Sequence, residues 1–224
     1  DTVATFSFED IVVSTAGEAS NALRFVAGND STFVLTADQT ENVFSTLGND
    51  ATAIDLLAGD RARISTLILQ ASIATTGDQS EGIMANVGAD SEYFLTARFS
   101  PFSTEGADSD VLQYNLGSDS IYTLIYTDGG LSSIGDRSSL ISLNEGTGAG
   151  TNGQSLTTVI SRSTLSTSGD DANAIAIGAV GDDSIVVVGV GDSSITTTGL
   201  NSGGIVVAGI GDAADYDVER DHEI

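Results

Sequence analysis

The chain alternates apolar and polar positions over short stretches, and the alternation returns along nearly its whole length. The segment Val13–Gly17 (VSTAG) recurs as Phe44–Gly48, Ile73–Gly77, Phe102–Gly106, Leu131–Gly135, Leu165–Gly169 and Ile195–Gly199. Its glycines lie 31, 29, 29, 29, 34 and 30 residues apart. Self-similarity at one such period marks a repeat architecture. Six residues after each glycine stands an aliphatic residue: Leu23, Ile54, Ile83, Leu112, Ile141, Ile175 and Ile205. Two further on come Phe25, Leu56, Ala85, Tyr114, Leu143, Ile177 and Val207. The residues between are mostly polar in the first five copies, such as Arg24, Asp55 and Gln113. Apolar at i and i+2 is the period of a strand. A third segment alternates likewise at Phe33/Leu35, Ile64/Thr66, Tyr93/Leu95 and Tyr122/Leu124, and becomes the run Ile185–Val188 in the sixth copy.

Each repeat is therefore predicted to hold three short strands. Between them lie turns such as Gly28–Ser31, Gly88–Ser91 and Gly117–Ser120, built from residues that tolerate positive φ or bond their own backbone. Glycines and β-branched residues disfavour helix, and no apolar stripe of period 3.6 appears. Three strands and three corners in about 29 residues make one coil of a parallel β-helix. The expected fold is all-β: a single-domain β-solenoid of about seven coils, roughly 34 Å long at about 4.8 Å per coil. A propeller blade needs about 40 residues and four strands, and a sandwich does not repeat its sequence. The solenoid is placed at residues 11–212, between an extended strand at 1–10 and an acidic strand or tail at 213–224. Pro101 falls at the start of a first strand, where a missing N–H is tolerated. The fifth copy carries about five extra residues within 145–154, expected to bulge from one corner.

Two residues before each marker glycine stand Thr15, Thr46, Thr75, Thr104, Ser133, Thr167 and Thr197. Alternation points them inward, as a hydroxyl ladder bonding to itself and to corner backbone. The outward neighbours, including Ser14/Ala16, Ser45/Leu47 and Ala74/Thr76, form no Thr-x-Thr face of the kind ice binding would need.

Composition narrows the function. Seven basic residues against 32 acidic ones give a net charge of −25, and all seven are Arg. That charge argues against nucleic acid and against insertion into an anionic membrane, and no apolar run approaches a membrane span. The absence of Cys removes disulfides, zinc fingers and thiol chemistry. The single His, His222, lies third from the end, which argues against histidine chemistry. A start at Asp1 rather than Met reads as a processed product. Acids recur at the corners: Asp30, Asp60, Asp90, Asp119 and Asp183 after the second strand, and Asp50, Asp78, Asp108, Asp136 and Asp171 after the first. They read first as turn formers that keep the rod soluble. A sharper reading makes Asp30, Asp90, Asp119 and Asp183 ligands for calcium between coils, since stacked carboxylates repel unless a cation joins them.

No amphipathic helix marks either end, although a solenoid's last coils expose unpaired edges. Ala4, Phe6 and Phe8 share one face of the first strand. Tyr216, Val218 and Ile224 lie opposite an acidic row in the last, and Ile205 and Val207 belong to an uncharged final coil. These eight residues are the expected assembly contacts with a second copy, head to tail, unless each end strand folds back as its own cap.

The blocks Thr76–Ile83 (TGDQSEGI), Ser168–Ile175 (SGDDANAI) and Thr198–Ile205 (TGLNSGGI) resemble the repeats of autotransporter-type and related bacterial surface β-helix proteins. The resemblance covers most of the chain and implies a secreted or cell-surface bacterial protein with a structural or adhesive role. Similar architectures also include polysaccharide lyases and hydrolases. No repeat here departs from the pattern with an unusual set of Asp, Arg and His, the Arg residues look scattered, and Tyr126 and Phe99 are the only candidate exposed aromatics. The expectation is a non-enzymatic, extracellular, acidic rod without a cofactor that assembles end to end; the alternative is a glycan-binding adhesin or a polysaccharide-degrading enzyme.

Overall fold

The computed structural model describes residues 2–38, 42–143, 152–212 and 214–220. Among them there is no helix, and every strand pairs in parallel. Sheet 1 contains β2 (Val12–Ala16), β5 (Val43–Leu47), β8 (Ser72–Thr76), β11 (Pro101–Glu105), β14 (Gly130–Ile134), β17 (Thr164–Ser168) and β20 (Ser194–Thr198). Sheet 2 contains β3 (Leu23–Ala27), β6 (Ile54–Ala58), β9 (Ile83–Val87), β12 (Leu112–Leu116), β15 (Ile141–Leu143), β18 (Ile175–Val180) and β21 (Ile205–Ile210). Sheet 3 contains β1 (Thr2–Phe8), β4 (Ser31–Ala37), β7 (Arg63–Leu69), β10 (Glu92–Arg98), β13 (Ile121–Thr127), β16 (Ser155–Ser161), β19 (Ile185–Gly191) and β22 (Asp215–Arg220). The chain visits the sheets in rotation, so the fold is a β-solenoid with three strands per coil. Most of the insertion predicted within 145–154 lies outside the described residues.

Register follows the sequence repeat. Val13, Phe44, Ile73, Phe102, Leu131, Leu165 and Ile195 stack in one interior column, because each strand pairs with its copy one repeat away. Pro101 opens β11, and the pairing with β8 begins one residue later at Phe102. The strands at the two ends continue sheet 3 in the same register, β1 on β4 and β22 on β19.

The core is one continuous column of apolar side chains from all three sheets, including Phe44, Ile54, Tyr93, Phe102, Tyr122 and Leu124. The inward hydroxyl ladder is present, with Thr46, Thr75, Thr104, Ser133 and Thr167 all buried. The expected bonds to corner backbone are present, while the described hydroxyls of the ladder do not bond to one another. Each hydroxyl donates to the corner carbonyl five residues on rather than to the next hydroxyl: Thr46 to Ala51 (2.5 Å), Thr75 to Ser80 (2.6 Å), Thr104 to Ser109 (2.7 Å) and Ser133 to Ser138 (2.7 Å). A buried carbonyl at a turn has no ladder partner of its own, and the hydroxyl supplies one. The column thus fixes the first corner to the strand before it.

Candidate functional site

The chemistry-bearing side chains concentrate at the corners, and each corner has a fixed plan. After sheet 1 comes a glycine, then an acceptor, then a residue in the left-handed region, then a small residue that is usually serine. Gly77–Ser80 and Gly135–Ser138 are two examples. The acceptor position takes the backbone N–H of the coil above. Asn49 accepts from Asp78 (3.0 Å), Asp78 from Ala107 (2.9 Å), Asp136 from Asp170 (3.0 Å) and Asp170 from Leu200 (2.8 Å). The left-handed position holds Asp50, Gln79, Asp108, Arg137, Asp171 and Asn201, with φ between 55° and 58°. The serine is buried and bonds two coils. Ser109 Oγ donates to Gly77 O (2.8 Å) and accepts from Ser80 N–H (3.0 Å), and Ser138 repeats both contacts with Gly106 and Ser109.

This plan corrects the reading of the acids as two uniform series. Asp78 and Asp136 occupy the acceptor position, whereas Asp50, Asp108 and Asp171 occupy the left-handed one. After sheet 2, Asp60 belongs with the acceptors, receiving Ala89 N–H at 3.0 Å. The left-handed column there runs Asp30, Arg61, Asp90, Asp119, Gly153 and Asp183. The four residues proposed as calcium ligands are therefore not one stack. Arg61 stands between Asp30 and Asp90 and binds Asp30 through both guanidinium contacts (2.6 and 2.8 Å), which holds that carboxyl below its usual range. Gly153 separates Asp119 from Asp183, so only Asp90 and Asp119 are direct neighbours. Among the described residues no three Asp, Glu, His or Cys side chains group as a metal site.

Nor are the arginines scattered in function. Arg24 pairs with Asp55, Arg61 with Asp30, Arg63 with Glu92, Arg98 and Arg162 with Asp128, and Arg137 with Asp108. Each pair joins adjacent coils. Asp128, held between two guanidinium groups, has its pKa lowered to about 2, Arg162 being the larger cause. Tyr126 is fully buried rather than exposed, and its hydroxyl donates to the Ser100 carbonyl. Phe99 is exposed at a left-handed corner with the Arg98 guanidinium 4.6 Å above its ring.

Beside the first corner runs a polar groove of about 630 Å³, lined in part by Asn21, Asp50, Thr52, Glu81, Asp108 and Gln113. Glu81 is nearly buried, and burial raises its pKa; the hydrogen bond from Thr52 (2.9 Å) opposes the rise. Asp55 is also raised by burial, against Arg24 and Asn21. A carboxyl with a raised pKa is the property required of a general acid. Two nearby carboxylates are committed to the frame, Asp110 accepting Ser139 N–H (2.6 Å) and Asp108 taking Arg137, while Asp50 also lines the groove. The groove is thus lined by a hydrogen-bonded ladder that joins successive coils.

The end coils are the remaining site. At one end Phe6, Phe25 and Phe33 form a cluster with centroids 4.7–5.5 Å apart. Beside it lies a cleft of about 400 Å³ lined by Ala4, Phe6, Phe25, Ala27 and Phe33. Ala4 and Phe8 are half-buried, while Phe6, which would be interior in any later coil, stays 40% exposed. At the other end Ile205, Val207, Tyr216 and Val218 pack on the core and are only partly covered. Asp215, Asp217 and Glu219 point outward from β22. Ile224 and His222 lie outside the described residues. Comparison with family models, with curated proteins and with solved structures found no match.

Proposed function

We propose that this chain is a non-enzymatic structural protein of the cell surface or extracellular space, a rigid acidic rod that joins other copies through its end coils. The observation that carries the reading is the chemistry of the two ends. Each presents three parallel strand edges and partly covered core side chains, Ala4, Phe6, Phe8 and Phe25 at one end and Ile205, Val207, Tyr216 and Val218 at the other. Parallel edges of this kind template further strands, and a contact between unlike ends propagates. The first and last described strands, β1 and β22, both lie in sheet 3, so a copy that continues the coil starts in sheet 1. A second copy seats flush when turned by one third of a turn, with β1 on β20, β2 on β21 and β3 on β22. The reading is also supported by the commitment of the polar side chains to cross-coil bonds rather than to an open site.

Negative-stain microscopy and size-exclusion chromatography of the purified chain test it. Rods in multiples of the single-chain length are expected; a chain that stays monomeric when concentrated refutes end-to-end assembly. The groove around Glu81 favours a second reading, a glycan-binding or glycan-cleaving surface. Turnover or binding of an acidic or neutral polysaccharide that Glu81→Gln abolishes would select it.

A further inference from the structure

Charge is distributed unevenly over this rod. The acids sit at the corners and on β22, and the outer face of sheet 3 lacks them along its middle. Two outward columns run through seven coils: Thr5, Val34, Ser65, Phe94, Thr123, Thr157 and Val187, and beside them Ser7, Thr36, Leu67, Thr96, Ile125, Val159 and Gly189. None of these residues is ionisable, on a chain of net charge −25. The flanking columns add Ile121 and Ile185, and their three charges are Arg63, Glu92 and Arg98, all in ion pairs. Phe94, Ile121, Ile125, Val159 and Ile185 are each 40–49% exposed. Sheet 1 is also poor in charge but less apolar: its middle column is Ser14, Ser45, Ala74, Ser103, Ser132, Ser166 and Thr196, and its exposed large apolar residues, Val12, Leu47 and Ile134, lie in the flanking columns.

We infer that this face packs against the same face of a second copy, with the two rods antiparallel. Three considerations lead there. Strands of seven residues and the seven rungs from β1 to β19 give a face of about 23 by 29 Å, roughly 670 Å², approaching the ~800 Å² per partner of a stable interface. Two sheets packed face to face stand about 10 Å apart, beyond the ~8 Å screening length at physiological salt, so the corner acids of the two copies are screened. The orientation follows from β22. Parallel rods set Asp215, Asp217 and Glu219 against themselves, whereas antiparallel rods that set β1 against β19 carry these acids past the partner's β1, where they stay in water. This contact is separate from the end-to-end one: it doubles the thickness of the rod and leaves its length unchanged.

Sedimentation velocity and small-angle scattering of the full chain between about 0.02 and 0.5 M NaCl test the inference, because screening must favour the dimer. The expected result is a dimer of single-rod length that strengthens with salt. Ile125→Asp or Val159→Asp, each on an exposed outward position, should weaken it at least about 100-fold, since an unpaired carboxylate would be buried. Ser103→Asp on sheet 1 should leave it intact, and circular dichroism checks that each variant folds. Because the chain has no Cys, Ser65→Cys and Thr123→Cys proteins can be mixed with a short bis-maleimide. Antiparallel packing cross-links one to the other; parallel packing cross-links each to itself and overturns the orientation. A monomer at every salt concentration, or a dimer that survives Ile125→Asp, overturns the interface. So does a monomer that instead binds insoluble cellulose or chitin through this face. Fibres that lengthen normally in Ile125→Asp would leave end-to-end assembly standing and remove only the lateral contact.

Discussion

The marker glycine offers the most direct check on the packing argument. Gly106 has φ of 145°, and a Cβ built there would meet the backbone of Gly77 in the coil below, 2.5 Å from its carbonyl carbon. Gly106→Ala therefore carries three costs. The backbone conformation costs about 1 kcal/mol for an L side chain. Overpacking against main chain that cannot rotate away costs about 1–3 kcal/mol. Moving Gly77 aside strains its N–H bond to Glu105 O (2.8 Å) and the Ser109 hydroxyl bond to its carbonyl (2.8 Å), about 1 kcal/mol each. The expected loss is about 4–6 kcal/mol. Gly130 is the internal control: the nearest atom to a Cβ there is Thr164 O at 3.9 Å, so Gly130→Ala should be neutral or stabilise by up to about 1 kcal/mol. Guanidinium unfolding followed by far-ultraviolet circular dichroism measures both. Amide exchange should show lost protection at Gly77, Ser80 and Ser109 in the first variant alone. A Gly106→Ala protein within about 1 kcal/mol of the parent, with unchanged exchange at those amides, would refute the close approach of corner backbones.

Two further outcomes follow from buried and paired polar groups. Thr158 has a fully buried hydroxyl with no hydrogen-bond partner, so Thr158→Val should raise stability by about 1 kcal/mol, measured by the same unfolding curves. The Asp128 carboxyl should titrate near pH 2 by NMR and move up toward the ordinary aspartate range in Arg162→Gln. Because its folded pKa lies below the unfolded value near 3.9, its contribution is complete above that value and is lost as pH falls toward 2.

Much of the coil was legible because its determinants are local. The spacing of Gly17 through Gly199 located the corners, and alternation at pairs such as Ile54/Leu56 and Tyr93/Leu95 placed three strands between them. The corner serines were equally regular, three residues after each glycine at Ser80, Ser109 and Ser138. They were lost among the turn-forming residues because composition does not distinguish a buried serine from an exposed one. The arginine pairs were hidden differently. Arg61 and Asp30 are 31 residues apart, and Arg137 and Asp108 are 29, so each pair is one repeat in sequence and one rung in space. Aligning the copies would have shown an Arg above an Asp. The mixing of Asp60 with Asp30 has the same origin: a shift of one residue moves a carboxylate from capping a neighbouring N–H to facing solvent. The depth of Tyr126 follows from its register with the buried Ala97 and Ile160, one repeat away on either side.

The corner contacts also set how such a chain can change size. The side-chain bonds that join one coil to the next at the first corner span about one repeat, and Gly77 and Gly106 are 29 residues apart in equivalent settings. Excising residues 78–106 would join Gly77 to Ala107 with the same corner plan and the same interior columns above and below. Excising one residue fewer would leave a corner to absorb the extra residue, as the 30- and 31-residue repeats do. Length in this architecture is therefore quantised: the rod can gain or lose whole rungs of about 4.8 Å while keeping its cross-section, and intermediate lengths are excluded by geometry.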